Sequence, residues 1–205
     1  MACTSALTLP LLLIALSIPA LCHGAKKQVN DPVLDIRSAQ LQTDRAYYIL
    51  PVLVGSGGGL IVAKGRDNSS IDIVQIRTDG NPGFQVHFSF ANNKTGVIRE
   101  QDAINIEFST GDWGDDAPIK ANGKAFFWLV RSPDKASKQS FIGTGQSPMT
   151  AGSLQIVSNG FFYNLRYCPT SCKTCKAGCR HVGIYNDNGL KRLALSDVPF
   201  KIMFK

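Results

Sequence analysis

Short stretches of alternating apolar and polar residues dominate the hydrophobic pattern of this chain. Alternation with a period of two is typical of strands that bury one face, and it is clearest in Ile71–Ile76, Phe84–Phe88 and Ile104–Phe108. No stretch keeps a helical period over three turns, so the pattern predicts an all-β protein. The remaining predicted strands are apolar or aromatic and are separated by Gly, Asn, Asp and Pro: Tyr47–Leu53, Leu60–Ala63, Phe126–Val130, Phe141–Ile142, Leu154–Val157, Phe161–Tyr167, Val182–Tyr185, Lys191–Leu195 and Phe200–Phe204.

Aromatic-rich strands recur at three places in this series, at Tyr47–Leu53, Phe126–Val130 and Phe161–Tyr167. About twelve strands in three groups of four suit a β-trefoil, although an all-β pattern with this spacing is shared by sandwiches and other barrels. No linker or shift in composition divides the chain. We therefore predict one all-β domain, a β-trefoil of about twelve strands in three pseudo-repeats.

Residues 1–24 differ in composition from the rest of the chain. They contain no Lys, Arg, Asp or Glu, and the run from Ala6 to Leu21 is almost wholly apolar and ends beside the small residues Cys22 and Gly24. This pattern is typical of a cleaved secretory signal peptide; the alternative is a membrane anchor, for which the run is near the lower length limit. We predict a signal peptide over residues 1–24 and a secreted mature domain over residues 25–205.

The distribution of charge along the chain excludes some classes of partner. All Lys, Arg, Asp and Glu residues lie in the mature part, and the formal net charge is +7. The basic residues are scattered, no aromatic and basic recognition motif accompanies them, and no later segment is long and apolar enough to span a bilayer. We therefore expect neither nucleic acid nor a membrane as a partner.

Candidate catalytic groups are sparse. His87 and His181 have no paired nucleophile motif, and the G-x-S-x-G motif is absent. The glycine-rich run Gly55–Gly59 is not followed by the Lys-Ser/Thr of a phosphate-binding loop. We expect a protein that is not an enzyme and that has no cofactor and no metal.

Four of the six cysteines belong to the mature chain, with the spacing Cys-x3-Cys-x2-Cys-x3-Cys: Cys168, Cys172, Cys175 and Cys179. Four thiolates can bind tetrahedral zinc. An even number of cysteines in a secreted chain favours disulfides instead, because export compartments are oxidising. Three pairings of the four cysteines are possible.

Nine segments, spread in order along residues 32–200, carry the motifs of one known family: Pro32–Asp35, Tyr47–Leu53, Gly57–Leu60, Ile73–Gln75, Gly96–Glu100, Ile104–Phe108, Tyr167–Thr170, Val182–Tyr185 and Arg192–Phe200. In these segments the chain resembles the plant Kunitz (soybean trypsin inhibitor-type) protease inhibitors, and above all their miraculin-like members. The resemblance implies a β-trefoil fold, export to the extracellular space, apoplast or vacuole, and a nested pair of disulfides. The pairs would be Cys168 with Cys179 and Cys172 with Cys175.

The resemblance also implies an inhibitory loop between the fourth and fifth strands, here Ser89–Asp102. In this loop Asn93 would be P2, Lys94 would be P1 and Thr95 would be P1′. A lysine at P1 suits a trypsin-like S1 pocket, which holds a buried carboxylate. Arg99 is a second basic candidate in the same loop.

Three positions depart from the family pattern. Ser38 stands where the family usually has glycine, Thr43 where many inhibitors have an asparagine that braces the loop, and Ser70 where the first conserved cysteine would lie. The first disulfide of the family is therefore absent, because no cysteine lies between Cys22 and Cys168. The missing asparagine and the missing disulfide predict a loop that is less ordered before it binds a protease.

Two N-glycosylation sequons complete the list of candidate sites. They begin at Asn68 and Asn93, and the second overlaps the loop. We predict a secreted inhibitor of trypsin-like serine endopeptidases that acts in plant defence, with papain-like proteases as other targets. The alternatives are a non-inhibitory miraculin-like storage, defence or stress protein and a carbohydrate-binding trefoil, although the Gln-x-Trp repeats of ricin-like trefoils are absent.

Overall fold

The structure is a computed structural model that describes residues 30–67, 69–92, 94–109, 126–149, 152–169 and 178–205. Within these ranges no helix is long and apolar enough to cross a membrane. The described chain forms thirteen strands: β1 (Ala46–Tyr47), β2 (Ile49–Pro51), β3 (Leu60–Lys64), β4 (Ile71–Gln75), β5 (Val86–Phe90), β6 (Ile104–Phe108), β7 (Phe127–Val130), β8 (Ile142–Gly145), β9 (Gly152–Asn159), β10 (Phe162–Pro169), β11 (Arg180–Asp187), β12 (Leu190–Ser196) and β13 (Ile202–Phe204).

Seven of the thirteen described strands close into a barrel. β1 pairs with β5, β5 with β6, β6 with β9, β9 with β10, β10 with β13, and β13 with β2, all antiparallel. β1 and β2 occupy one strand position, because Tyr48 between them exchanges backbone hydrogen bonds with Lys205. The succession of pairings therefore returns to its start, and the interruption at Tyr48 accounts for thirteen strands where about twelve were predicted.

The other strands form three hairpins, β3–β4, β7–β8 and β11–β12, that meet at one end of the barrel. β4 pairs with both β8 and β12, and a bridge between Phe141 and Ala194 joins the other two hairpins. Each third of the chain thus supplies a barrel strand, a hairpin and a second barrel strand. This arrangement confirms the predicted β-trefoil in three pseudo-repeats.

The sequence suggested that three aromatic-rich strands mark the threefold repeat, but in the structure these strands do not occupy equivalent positions. Tyr47 and Phe162 lie in barrel strands, whereas Phe127–Val130 is a hairpin strand, so these three segments are not equivalent by the threefold arrangement. The physical reason is that aromatic side chains fill the interior below the hairpins as well as the barrel. Trp128 on β7 is 2% exposed and lies 5.4 Å from the ring of Phe108 on β6.

The core is built from alternate residues of the barrel strands. On β5 and β6 the buried positions are Val86, Phe88, Ile104, Ile106 and Phe108. Burial of these side chains stabilises the fold by roughly 1.5–3 kcal/mol each. The connection between β5 and β6 therefore starts and ends on a rigid base.

A buried carboxylate holds the three hairpins together. Asp72 on β4 is 2% exposed and forms ion pairs with Arg192 on β12 at 3.0 Å and with Arg131, which follows β7, at 3.3 Å. Burial raises the pKa of Asp72, and the two guanidinium groups oppose that rise. Arg192 also donates to Asp187 at 2.8 Å, so the cluster extends to the end of β11.

Candidate functional site

The loop that the sequence singled out lies between β5 and β6. These strands pair over their whole length, and the last pair before the loop is Phe90 with Ile104. Ser89 and Phe90 therefore belong to β5, and the predicted start of the loop at Ser89 is wrong by two residues. The loop comprises residues 91–103, and we call it the β5–β6 loop.

The second half of the loop is fixed to the core by a segment from the start of the domain. Val33 donates to the carbonyl of Ile98 at 3.0 Å, and Ile98 donates to the carbonyl of Leu41 at 2.9 Å. All three side chains are fully buried. The backbone after residue 96 is therefore held in an extended form before any partner binds, which lowers the entropy lost on binding.

A tight turn shapes this supporting segment. Asp35 accepts hydrogen bonds from the backbone of Arg37 and Ala39 through Oδ1, at 2.8 and 2.9 Å. Ser38 in the turn has a φ of 62°, in the left-handed region that glycine adopts without strain. A glycine would adopt this conformation without strain, and Ser38 adopts it here.

Thr43 braces the loop. Its hydroxyl oxygen accepts a hydrogen bond from the backbone N–H of Gly96 at 3.0 Å, and its own N–H donates to the carbonyl of Gly96 at 3.1 Å. The sequence indicated that the asparagine that braces the loop in many inhibitors is replaced here by Thr43. The hydroxyl and the backbone of Thr43 nevertheless hold Gly96, the residue two positions after Lys94.

Lys94 and Thr95 lie on the exposed side of the loop, before the braced Gly96. The backbone N–H of Lys94 donates to Oδ1 of Asn92 at 3.1 Å, which forms a local turn. Asn93 lies outside the described residues. The structure thus presents a lysine to solvent between a barrel strand and a braced extended segment.

Arg99 occupies a different environment. Its backbone N–H donates to Oδ2 of Asp102 at 2.8 Å, and its guanidinium donates to the carbonyl of Asn30 at 3.0 Å. Arg99 also forms a bridge with Pro32 in the supporting segment. Its guanidinium is already bonded to the segment at the start of the domain, so Arg99 is a poorer candidate than Lys94 for insertion into a protease pocket.

The end of the loop is tied to β9 and β10. Ser158 donates to Oε2 of Glu100 at 3.2 Å, and Gln101 donates its backbone N–H to the carbonyl of Ile156 at 2.8 Å. Arg166 on β10 donates to Oε1 of Gln101 at 3.1 Å. Sequence reasoning did not find these contacts, because the partners lie more than fifty positions apart along the chain.

Cys168 and Cys179 lie where β10 ends and β11 begins, at the same end of the barrel as the β5–β6 loop; we call β10 and β11 with these two residues the cysteine hairpin. A disulfide joins Cys168 on β10 to Cys179, which immediately precedes β11. Ile104 at the end of the loop pairs with Leu154, which in turn pairs with Tyr167 beside Cys168. The bond corresponds to the outer pair of the expected nested arrangement and leaves these two sulfurs unable to bind zinc.

The inner pair, Cys172 and Cys175, lies outside the described residues, and so does Asn68 of the first sequon. The neighbouring turn is described. Asp67 accepts hydrogen bonds from the hydroxyl and the backbone of Ser70, which lower the pKa of its carboxyl group to about 2. Ser70, at the position of the missing cysteine, thus stabilises the turn through a hydrogen bond.

The two described histidines that the sequence singled out are not placed for catalysis. His87 on β5 pairs with Ala46 of β1 in the barrel wall. His181 on β11 has its Nδ1 atom 3.3 Å from the amide nitrogen of Asn164. These contacts are typical of histidines within a sheet.

Comparison with protein families gives a match over residues 33–205 to the Kunitz legume family, described as "Trypsin and protease inhibitor". Among curated relatives, the chain is 35% identical over 183 residues to Kunitz trypsin inhibitor 5 of Arabidopsis thaliana, with 85% of each chain covered. It is 34% identical over 206 residues to miraculin of Synsepalum dulcificum, with 94% of this chain and 90% of miraculin covered.

Among solved structures, the fold is similar to that of the Kunitz-type cysteine protease inhibitor PCPI-3 from potato. The TM-score is 0.67 and the sequences are 26% identical, with 86% of this chain and 97% of the potato chain covered. The likeness therefore extends over nearly the whole domain of both proteins.

Proposed function

Since this chain belongs to the Kunitz family of trypsin and protease inhibitors, we propose that it inhibits a trypsin-like serine endopeptidase through Lys94. The observation that carries the proposal is the exposed Lys94 immediately before Thr95 and the braced Gly96. A substrate-like loop of this kind places the P1 side chain in the S1 pocket with little loss of entropy. A lysine at P1 is complementary to the carboxylate at the base of a trypsin S1 pocket.

The remaining expectations belong to the same proposal. The chain is exported by the signal peptide over residues 1–24 into the extracellular space, apoplast or vacuole, where it acts in plant defence. Its partner is a trypsin-like protease, and a papain-like protease is a second candidate because the potato relative is described as a cysteine protease inhibitor. It uses no cofactor and has no catalytic residues of its own.

The test is inhibition of trypsin by the mature domain and by variants of the β5–β6 loop. Lys94→Ala should weaken inhibition about a hundredfold or more, because removal of a central anchor side chain costs several kcal/mol. Lys94→Arg is the matched control and should keep the inhibition, since trypsin accepts both basic side chains. Lys94→Phe should shift the preference towards chymotrypsin.

Two results would count against Lys94 as P1: unchanged inhibition by Lys94→Ala, or a loss of inhibition that occurs only in Arg99→Ala. Absence of inhibition of trypsin, chymotrypsin and a papain-like protease at micromolar concentration would contradict the inhibitor function as a whole.

A non-inhibitory role is favoured by one specific feature, the sequon at Asn93. An N-glycan there would occupy the P2 position and block docking of a protease. The glycosylated protein and an Asn93→Gln variant distinguish the two functions. Inhibition by the variant alone identifies the glycan as the block, and inhibition by neither supports a non-inhibitory protein.

A further inference from the structure

A surface cavity of about 400 Å³ lies beside β2 and shares no lining residue with the β5–β6 loop. Its size falls in the range of about 300–1,000 Å³ found for small-molecule sites. Strands β2, β4, β11 and β12 and the connections after β2 and β12 form its walls. The lining residues are Pro51, Leu53, Ser56, Gln75, Ile184, Asn186, Lys191, Val198, Pro199, Phe200 and Lys201.

Hydrogen bonds between backbone groups hold these walls in place. Val52 donates to the carbonyl of Lys201 at 3.1 Å, which joins the connection after β2 to the connection between β12 and β13. Phe200 donates to the carbonyl of Val182 at 2.9 Å, which fixes the same connection to β11. The cavity is therefore formed before a ligand binds, and binding needs little ordering of the chain.

The surface of the cavity is largely apolar. Pro51, Ile184 and Phe200 are half-buried along its walls. Leu53 and Val198 at its rim are 63% and 75% exposed, respectively. Clustered apolar side chains that remain in contact with water are typical of a surface that covers an apolar partner.

The charged groups of the cavity have one sign. Lys191 and Lys201 are the charged residues that line it, and none of the described residues that line the cavity has a carboxylate. Lys191 donates one hydrogen bond to the carbonyl of Ser56, which fixes its position. The ammonium of Lys201 lies 4.9 Å from the ring centre of Phe162, a contact that uses no N–H donor.

From the apolar walls and the two ammonium groups, we propose that this cavity binds a small monocarboxylic acid with an apolar body. The apolar body packs against the walls formed by Pro51, Ile184 and Phe200. The carboxylate accepts charge-assisted hydrogen bonds from Lys201 and Lys191. This binding site is independent of the protease-binding loop.

The experiment compares decanoate, decanol and decyltrimethylammonium, which have the same alkyl chain and different charges. Each is titrated below its micellar concentration into isotope-labelled mature protein, and backbone amide shifts are followed by NMR. Decanoate should shift the amides of the lining residues and should bind at least fivefold more tightly than decanol. Decyltrimethylammonium should bind most weakly.

Variants test the two ammonium groups and the rim. Lys201→Met keeps an apolar side chain of similar length and should weaken decanoate binding about fivefold, as expected for the loss of one solvent-exposed charge contact. Val198→Asp places a negative charge at the rim and should weaken it further. Lys135→Met removes the same charge outside the cavity and should leave the affinity unchanged.

Three outcomes would overturn the proposal. They are decanoate shifts that map to another surface or are absent, equal affinity for decanoate and decanol, and equal effects of Lys201→Met and Lys135→Met. Trypsin inhibition is measured separately in the same samples, so a failure of either function is recognised independently of the other.

Discussion

At the scale of single residues, Thr43 shows that a side chain shorter than the usual asparagine can brace the loop. Its Oγ1 atom lies 3.0 Å from the nitrogen of Gly96, and the backbone groups of the two residues form a second hydrogen bond. The β-branched threonine has few χ1 rotamers, so the hydroxyl is held in one orientation. The brace acts on Gly96, beyond Thr95, and leaves Lys94 free to enter a pocket.

Thr43→Val should separate the brace from the packing of the side chain. The valine keeps the shape of the threonine but leaves the N–H of Gly96 without its acceptor, a loss of about 1 kcal/mol. We expect trypsin inhibition to weaken about fivefold while the free energy of unfolding falls by no more than about 1 kcal/mol. Inhibition constants and urea unfolding measure the two effects.

Thr43→Ser is the control for the brace, because it retains the hydroxyl and should retain most of the inhibition. If Thr43→Val inhibits as well as the unaltered protein does, the hydrogen bond to Gly96 has no role in positioning the loop.

At the scale of elements, the cysteine hairpin supports the same end of the barrel as the loop. Arg166 on β10 donates to Gln155 on β9 at 2.8 Å and to Gln101 in the loop at 3.1 Å. Cys168 lies two residues further along β10, where the disulfide to Cys179 joins β10 to the start of β11. The disulfide thus limits the motion of the strand that holds the end of the loop.

Replacement of both Cys168 and Cys179 by serine should test this link. The disulfide closes a short loop, so its removal should lower the free energy of unfolding by roughly 2–3 kcal/mol. The amide of Gln101 should also exchange its hydrogen faster, because β10 is less constrained. Urea unfolding and hydrogen exchange measure these effects.

The contrary result is an unaltered unfolding curve in the double variant. Reduction of the unaltered protein provides a control without substitution. It should destabilise the unaltered protein at least as much as the double substitution does.

At the scale of the whole molecule, the Asp72 cluster joins the three pseudo-repeats. Asp72, Arg131 and Arg192 belong to the first, second and third repeat, respectively, and meet where the hairpins converge. Arg131 also donates to the carbonyl of Ile71 at 3.0 Å, and Arg192 to that of Lys64 at 3.1 Å. The charge of the buried Asp72 is therefore compensated by the buried Arg192 and by Arg131, which is 28% exposed.

Asp72→Ala should destabilise the whole domain. It removes the buried carboxylate that Arg192 and Arg131 share and leaves Arg192 with Asp187 alone. The loss of one partner of a buried pair costs about 3–5 kcal/mol. Because the three hairpins share the cluster, we expect one cooperative transition shifted to lower urea concentration.

Asp187→Ala is the matched control. It removes the more exposed partner of Arg192 and should have a smaller effect. A destabilisation by Asp72→Ala no larger than that of Asp187→Ala would show that the cluster does not hold the repeats together.

Alternation of apolar residues was sufficient to predict the strands and the all-β class. The ends of the strands were not predicted from this pattern. Ser89 and Phe90 belong to β5 because they pair with Asn105 and Ile104, and this pairing is not visible in the sequence of β5 itself. The threefold repeat was also predicted, but its boundaries were not, because Trp128 and the barrel aromatics share one core.

The sequence by itself determined a β-rich chain with four cysteines between residues 168 and 179, a basic residue in the β5–β6 connection and the motifs of one family, since these depend on residue type and local spacing. Only the tertiary structure decided that Thr43 braces Gly96, that Arg99 is bonded to Asn30 while Lys94 is exposed, and that Lys191 and Lys201 share a cavity. Each of these relations depends on how segments of the chain pack in three dimensions, and that packing depends on strand register and closure rather than on proximity along the chain.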